Sequence, residues 1–141
     1  VAHNVGGAGC KGRRNTVRVG TAVGIARYDA GAPAFTSHDL SEADGNPYVG
    51  ISVFAAQADG SGRLWLGSRF GLSVYEPERN RMLWINLSNA VIGTYNFVKG
   101  LAIDDNDILW IGTAEGLVCY DTRRNCEVSI QSRLANRLKY I

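Results

Sequence analysis

Short runs of alternating apolar and polar residues follow one another along the chain, separated by turns that contain glycine or aspartate. One pair of runs, LWLGSRFGLSVYEPERN at positions 64–80, returns as LWIGTAEGLVCYDTRRN at positions 109–125. A fainter copy, VRVGTAVGIARYDAG, occupies positions 17–31. Alternation with a period of two is typical of half-buried β-strands, and two such runs joined by a short turn predict a hairpin. The pattern therefore predicts a series of repeated hairpins.

The repeats are evenly spaced. Their first glycines are Gly20, Gly67 and Gly112, which gives a spacing of 47 residues and then 45. A period of this length in strand-forming sequence is typical of the four-stranded blades of a β-propeller. We therefore expect an all-β fold, a β-propeller segment of about three four-stranded blades. The blades are expected at 1–49, 50–96 and 97–133, with the start of a further blade at 134–141.

The strands can be placed within the second and third blades. The second blade is expected to have strands at 51–58, 63–68, 71–76 and 81–87, and the third at 97–103, 108–113, 116–121 and 126–131. The first blade is less regular, because four glycines lie between positions 6 and 12 and Arg18 stands where the other copies have Trp65 and Trp110. Dense glycine weakens strands, so we expect an irregular or frayed first strand.

Closed propellers usually have about 4 to 8 blades, so three blades predict an open arc that belongs to a larger protein. The end faces of such an arc are apolar, as in uncapped repeat arrays. The expected partners are neighbouring propeller blades or further copies of the same chain.

The repeated residues are expected to have structural roles. Trp65 and Trp110 alternate with aliphatic residues, so each ring faces one side of its blade and fills the wedge toward a neighbouring blade. Gly67 and Gly112 should allow close approach between blades, whereas Gly71 and its counterpart Gly116 follow a tight turn and should need unusual dihedral angles. The repeated tyrosines should pack in the blade with their hydroxyls at the rim. An aspartate, Asp59 or Asp104, lies six residues before each tryptophan.

These residues resemble a known repeat. The run DGSGRLWLGS at 59–68, continued by GLSVY at 71–75, is similar to the two-component-regulator propeller repeat, in which an acidic turn precedes a Trp-apolar-Gly-Thr strand and then Gly-Leu-x-x-Tyr-Asp. Positions 104–121 match it more closely, while the first copy departs from it at Arg18 and lacks the acidic turn. The resemblance implies the periplasmic or other extracytoplasmic sensor region of a hybrid histidine kinase, a membrane-anchored, dimeric receptor that typically senses oligosaccharides. The kinase, β-sandwich and membrane parts of such receptors are not in these 141 residues.

Function is then expected in the loops. In a four-stranded blade, the turn between the second and third strands lies on the same face as the connection to the next blade, which is usually the ligand face. Aromatic rings and planar polar side chains suit a carbohydrate, because sugar C–H faces stack on rings and hydroxyls pair with amides and carboxylates. The candidate ligand-binding residues on this face are Arg69, Phe70, Glu115, His38, Asp39, Tyr48, Asn89, Tyr95 and Asn96.

Composition excludes several other functions. The net charge of +2, without a clustered basic face, gives no basis for nucleic-acid binding. The cysteines Cys10, Cys119 and Cys126 do not have the spacing of a metal site, and no cofactor motif is present. No catalytic residue is singled out, so we do not expect an enzyme.

Two alternatives stay open. A propeller can be a scaffold that binds partner proteins. Some propellers are lyases whose chemistry needs a metal and a histidine base, but the only histidines are His3 and His38, without acidic residues spaced as a metal triad.

Overall fold

The structure, a computed structural model, describes residues 9–11, 16–21, 24–29, 35–39, 52–89 and 96–131. Within these ranges the chain forms three antiparallel four-stranded sheets. The strands are β1 (Gly9–Lys11), β2 (Thr16–Thr21), β3 (Gly24–Asp29), β4 (Phe35–Asp39), β5 (Val53–Ala58), β6 (Leu64–Ser68), β7 (Gly71–Glu76), β8 (Arg81–Ile85), β9 (Val98–Ile103), β10 (Ile108–Thr113), β11 (Gly116–Asp121) and β12 (Cys126–Val128).

Each sheet pairs its four strands in chain order, β1 to β4, β5 to β8 and β9 to β12. Within each sheet, consecutive strands are paired as hairpins, and the three sheets follow one another along the chain. The fold is therefore a segment of a β-propeller, which confirms the expected fold class. The three sheets lie inside the ranges expected for the blades, and the boundary expected at 96–97 falls in the connection between β8 and β9. The boundary at 49–50, the end at 133 and the further blade expected at 134–141 lie outside the described residues.

Some strand ends differ from the expected ones. β8 ends at Ile85 and β12 at Val128, earlier than expected. β4 extends through Asp39, so His38 and Asp39 belong to a strand rather than to the connection that follows it. The sheet hydrogen bonds decide these ends, and alternation alone does not reveal where pairing stops.

Two apolar clusters hold the sheets together. The first contains Leu64 and Leu66 on one side of the second sheet, with Val53, Ala56, Tyr75 and Met82. The second lies between the second and third sheets and contains Trp65, Leu72, Val74, Leu87, Val98, Leu109, Ile111, Val118 and Tyr120. Trp65 and its neighbours Leu64 and Leu66 thus point to opposite sides of β6, as the alternation predicts.

Trp65 is 0% exposed and its ring lies 5.2 Å from the ring of Tyr120 in the next sheet. The tryptophan therefore fills the wedge between two blades, as expected. Trp110 is only half-buried. It points to the other side of its sheet from Leu109 and Ile111, which face the second blade. A fully buried core role for Trp110 is not observed.

The glycines separate into two kinds. A Cβ on Gly67 would lie 2.6 Å from Val98 Cγ1 of the next sheet, so close approach between blades requires this glycine. A Cβ on Gly112 would meet nothing closer than 3.7 Å, so the same role is not observed there. Gly71 and Gly116 have φ of 122° and 119°, which confirms the unusual dihedral angles expected after the turn.

The strand order places the loops on two faces. The face that carries the β6–β7 turn (69–70), the β10–β11 turn (114–115) and the β8–β9 connection (86–97) is here named the connection face. We call hairpin face the opposite one, with the turns at 59–63, 77–80, 104–107 and 122–125.

Candidate functional site

The hairpin face contains a buried carboxylate in the turn between β5 and β6. Asp59 Oδ1 accepts hydrogen bonds from the Ser61 backbone N–H (2.9 Å), the Ser61 hydroxyl (2.6 Å) and the Arg63 backbone N–H (3.1 Å). Its Oδ2 accepts from Arg63 Nε (2.8 Å) and from Trp65 Nε1 (2.9 Å). Burial acts to raise the pKa of this carboxyl, but the hydrogen bonds from Ser61 and Trp65 and the charge of Arg63 outweigh it, so the pKa is lowered.

The same arrangement recurs one blade later. Asp104 Oδ1 accepts from the backbone N–H groups of Asn106 (2.8 Å) and Ile108 (3.0 Å), and its Oδ2 accepts from Trp110 Nε1 at 3.1 Å. The six-residue spacing therefore places the aspartate carboxylate within hydrogen-bonding distance of the tryptophan indole nitrogen, across the turn. These aspartates organise the blade and are not free to bind a ligand.

Arg63 connects the second and third blades on this face. Its Nη1 donates to Asn125 Oδ1 at 2.8 Å, and its Nη2 donates to the Thr122 carbonyl. Its guanidinium lies 5.2 Å from the ring centroid of Trp65. Between the blades, a groove of about 620 Å³ is lined by Asp59, Gly60, Ser61, Arg63, Asp107, Thr122, Arg123 and Asn125.

The charges along this groove neutralise one another. Arg63 pairs with Asp59, and Arg123 pairs with Asp107. Arg79 and Arg81 both pair with Glu76 at the next turn. A ligand here would have to displace these internal partners, so the arrangement supports a structural role for the hairpin face.

On the connection face, two of the expected residues form a hydrogen-bonded chain. Asn96 Nδ2 donates to Asn89 Oδ1 at 2.7 Å, and Asn89 Nδ2 donates to Thr113 Oγ1 at 3.0 Å. Asn96 is buried, and its Oδ1 has no hydrogen-bond partner in the described structure. Both asparagines therefore fix the β8–β9 connection to the turn of the third blade.

The two-residue turns on this face are held by matching hydroxyls. Ser68 Oγ accepts from the Phe70 backbone N–H at 3.1 Å, and Thr113 Oγ1 accepts from the Glu115 backbone N–H at 3.1 Å. This bond accounts for Ser68 and Thr113, which follow the repeat glycines of the second and third copies. Of the residues at the turn tips, Arg69 and Glu115 are exposed and Phe70 is half-buried.

The remaining expected ligand residues lie outside this group. His38 and Asp39 end β4, where their Cα partners are Ile25 and Gly24 at the turn end of β3. Tyr48 and Tyr95 lie outside the described residues. The structure thus brings Asn89 and Asn96 together and leaves the other contacts as predictions.

Sequence reasoning missed one feature of the connection face, a bulge in the first strand of the second sheet and of the third, the innermost strand of each blade. In β5, Val53 pairs with Ser68 and Ala55 with Gly67, so Phe54 is the extra residue. In β9, Val98 pairs with Thr113 and Gly100 with Gly112, so Lys99 is the extra residue. Both side chains are exposed. The equal spacing of these residues within the repeat is the one signal in the sequence, and it does not by itself indicate a bulge.

Three further properties concern the described part of the chain. No group of three or more His, Cys, Asp or Glu side chains in these residues is placed to hold a metal ion. A helix with the length and apolarity needed to cross a membrane is not found in these ranges. Cys119 is a buried free thiol and Cys126 an exposed one.

No protein-family model and no curated protein sequence matches the chain significantly. Solved structures do match. The extracellular domain of the hybrid two-component system BT4673 from B. thetaiotaomicron is 21% identical with a TM-score of 0.71, covering 85% of this chain and 16% of that one. The extracellular domain of BT3049 from the same organism is 20% identical with a TM-score of 0.68, covering 92% and 16%.

PorZ of Porphyromonas gingivalis, a bacterial surface component of the type-IX secretion system, is also similar. It is 21% identical with a TM-score of 0.66, covering 86% of this chain and 18% of PorZ. The chain thus spans less than a fifth of the length of each of these structures. At this identity the likeness establishes the fold, and it agrees with the resemblance to two-component-regulator propeller repeats.

Proposed function

We propose that the chain is part of the extracytoplasmic, ligand-sensing propeller region of a hybrid two-component sensor. The observation that supports this most strongly is the likeness of its three consecutive blades to the extracellular domains of two such systems. The acidic turn, tryptophan and Gly-x-x-x-Gly hairpin of the repeat are present twice with the same internal bonds. Such a region belongs to a membrane-anchored, dimeric receptor in the periplasm.

The ligand we propose is an oligosaccharide bound at the connection face. The support is the contrast between the faces, since the arginines of the hairpin face pair with carboxylates of the same chain, whereas Arg69 and Glu115 stand exposed at the turn tips. Exposed charged groups and a ring at fixed turns suit sugar hydroxyls and C–H faces. Binding would act by favouring one conformation of the receptor, which requires different affinities for the two conformations.

A thermal-shift screen of the protein with neutral and acidic oligosaccharides tests this. A ligand that binds only the native state stabilises it by about 2.7 kcal/mol at a concentration of 100 times Kd. Arg69→Ala and Glu115→Ala should reduce the shift. Arg79→Ala and Glu78→Ala, on the hairpin face, are the matched controls and should not. Failure of every oligosaccharide to shift the melting temperature of a cooperatively folding protein would contradict sugar sensing.

The second candidate is a protein-interaction scaffold, favoured by the comparable likeness to a component of a secretion system. A protein that forms a stable complex with copies of itself or with another protein, and that does not respond to oligosaccharides, would support this function. Size-exclusion chromatography with light scattering measures the first property. A propeller lyase has no support beyond the fold.

A further inference from the structure

The bulges of the innermost strands place an aromatic and cationic group at one end of the propeller axis. The ring of Phe97, at the end of the β8–β9 connection, contacts both Phe54 and Lys99. Its centroid is 5.1 Å from that of Phe54 with an interplanar angle of 29°, and Lys99 Nζ is 5.7 Å from it. Phe54 is 37% exposed, although it is one of the large apolar residues of an inner strand.

The bulges are the physical reason for this exposure. In a regular strand, successive side chains point alternately to the two faces of the sheet, where they pack against neighbouring blades. A bulge leaves its extra residue unpaired and redirects its side chain. Phe54 and Lys99 occupy the same bulge position in consecutive blades. Neither residue belongs to the buried inter-blade cluster, and the contact of Phe54 with the start of the next blade is the partly exposed ring pair with Phe97.

The β6–β7 turn adds a second cation and a third ring. Ser68, the strand partner of Val53, is followed directly by Arg69 and Phe70. The Arg69 guanidinium lies 5.9 Å from the Phe70 ring centroid. The turn thus lies beside the bulge that presents Phe54.

The cations of the two faces differ in whether they form ion pairs with carboxylates of this chain. The arginines of the hairpin face pair with carboxylates of this chain, namely Arg63, Arg79, Arg81, Arg123 and Arg124. In the described part of the chain neither Arg69 nor Lys99 forms an ion pair, and each lies over a phenylalanine ring instead. Glu115 is exposed on the same face and is not ion-paired with either of them. The two cations are therefore available to an external anion.

We propose that Phe54, supported from behind by Phe97, binds a sugar ring of an acidic oligosaccharide, and that Lys99 and Arg69 pair with its carboxylates. This rests on the proposed sugar-sensing function and specifies the ligand class and the site. Stacking on the exposed ring of Phe54 supplies the contact with the C–H face of the sugar, and Phe97 holds that ring in place. A carboxylate is an anion that both an ammonium and a guanidinium bind by charge-assisted hydrogen bonds.

The test compares trigalacturonate with its fully methyl-esterified form, which keeps the sugar rings and removes the charges. Isothermal titration of the protein should give binding of the acid about tenfold tighter than of the ester, the difference expected for one charge-assisted hydrogen bond. Lys99→Gln should remove most of that preference and leave binding of the ester unchanged. Phe54→Ala should weaken both ligands by a similar factor. Higher salt should weaken only the acid.

Two matched variants control the experiment. Arg79→Gln removes an exposed cation from the hairpin face, and Leu83→Ala removes a side chain that is 38% exposed on an outer strand. Neither should change binding. Equal affinity for acid and ester, or a Lys99→Gln variant that binds both as before, would overturn the inference. Binding of neutral oligosaccharides alone would overturn it while the sensor function stands, and no binding of either class would contradict both.

Discussion

The carboxylate of Asp59 accepts a hydrogen bond from the indole nitrogen of Trp65, 2.9 Å away and fully buried between two blades. Asp104 and Trp110 repeat this bond at 3.1 Å. A buried indole N–H needs a partner, and the turn before the strand provides one. In the first repeat, Arg18 stands in place of the tryptophan and Gly12 in place of the aspartate. The indole donor and the carboxylate acceptor are therefore absent together from that copy.

The first prediction concerns this bond. Asp59→Asn should lower the free energy of unfolding by about 2 to 3 kcal/mol, because an amide NH₂ group would then face the donors Trp65 Nε1 and Arg63 Nε and leave buried polar groups unsatisfied. Urea unfolding followed by tryptophan fluorescence measures the change. Asp104→Asn is the comparison and should cost less, because Asp104 and Trp110 are more exposed. Equal losses would mean that burial does not determine the strength of this bond.

The second prediction is the pH dependence of stability. The pKa of Asp59 is lowered in the folded protein, so its charged form stabilises the fold. That contribution is complete above the unfolded pKa of about 3.9 and is lost as pH falls through the folded value. The difference in stability between the wild-type protein and Asp59→Asn should therefore shrink on acidification from pH 6 to below pH 4. A difference that stays constant over this range would show that Asp59 is not charged in the fold.

The third prediction separates the two strand glycines. Gly67→Ala places a methyl group 2.6 Å from Val98 Cγ1, so the two blades must move apart, at a cost of about 1 to 3 kcal/mol. Gly112→Ala finds ordinary contacts at 3.7 Å and should change stability by less than about 0.5 kcal/mol. Thermal or urea unfolding measures both.

Shortening the opposing side chain provides the control. Val98→Ala should cost stability alone but recover part of it when combined with Gly67→Ala, because the inserted methyl group would then occupy the space of the lost ones. Strictly additive losses would show that the contact between Gly67 and Val98 is not the cause.

The fold could be predicted from the sequence because the alternation and the turns of each hairpin are local features. The repeat spacing shows that the same hairpins recur along the chain. The pairing of β6 with β7, and of β10 with β11, follows from two-residue turns whose glycines have positive φ, and the sequence indicates these turns directly. The side of the sheet that Trp65 faces follows from the same alternation.

The candidate site was less predictable, because it depends on contacts between blades and on strand irregularities. Asn89 and Asn96 were chosen as ligand contacts, but they hydrogen-bond to each other, and sequence reasoning does not reveal such pairing. Phe54 and Lys99 were missed because a bulge depends on the partner strand. Trp110 has the same local sequence as Trp65, but its burial depends on what lies beyond its sheet.

The fourth prediction tests how the second and third blades are joined. Arg63 donates to Asp59 in its own blade and to Asn125 and Thr122 in the next one, so Arg63→Gln should remove the inter-blade bonds. We expect a loss of about 1 to 2 kcal/mol in urea unfolding. Backbone amides at 122–125 should exchange hydrogen faster, while those of β6 and β7 should not change. Arg63→Lys should not restore protection, since an ammonium cannot reach three partners in the planar geometry of a guanidinium.

The control for this variant is Arg79→Gln on the neighbouring turn. Arg79 pairs only with Glu76 of its own blade at 3.6 Å and is largely exposed, so its loss should change stability by less than about 0.5 kcal/mol. Unchanged exchange at 122–125 in Arg63→Gln would mean that the apolar cluster around Trp65 joins the blades without help from Arg63. Faster exchange confined to those residues would mean that Arg63 aligns the two blades at the hairpin face. The apolar cluster would then be what holds the blades together.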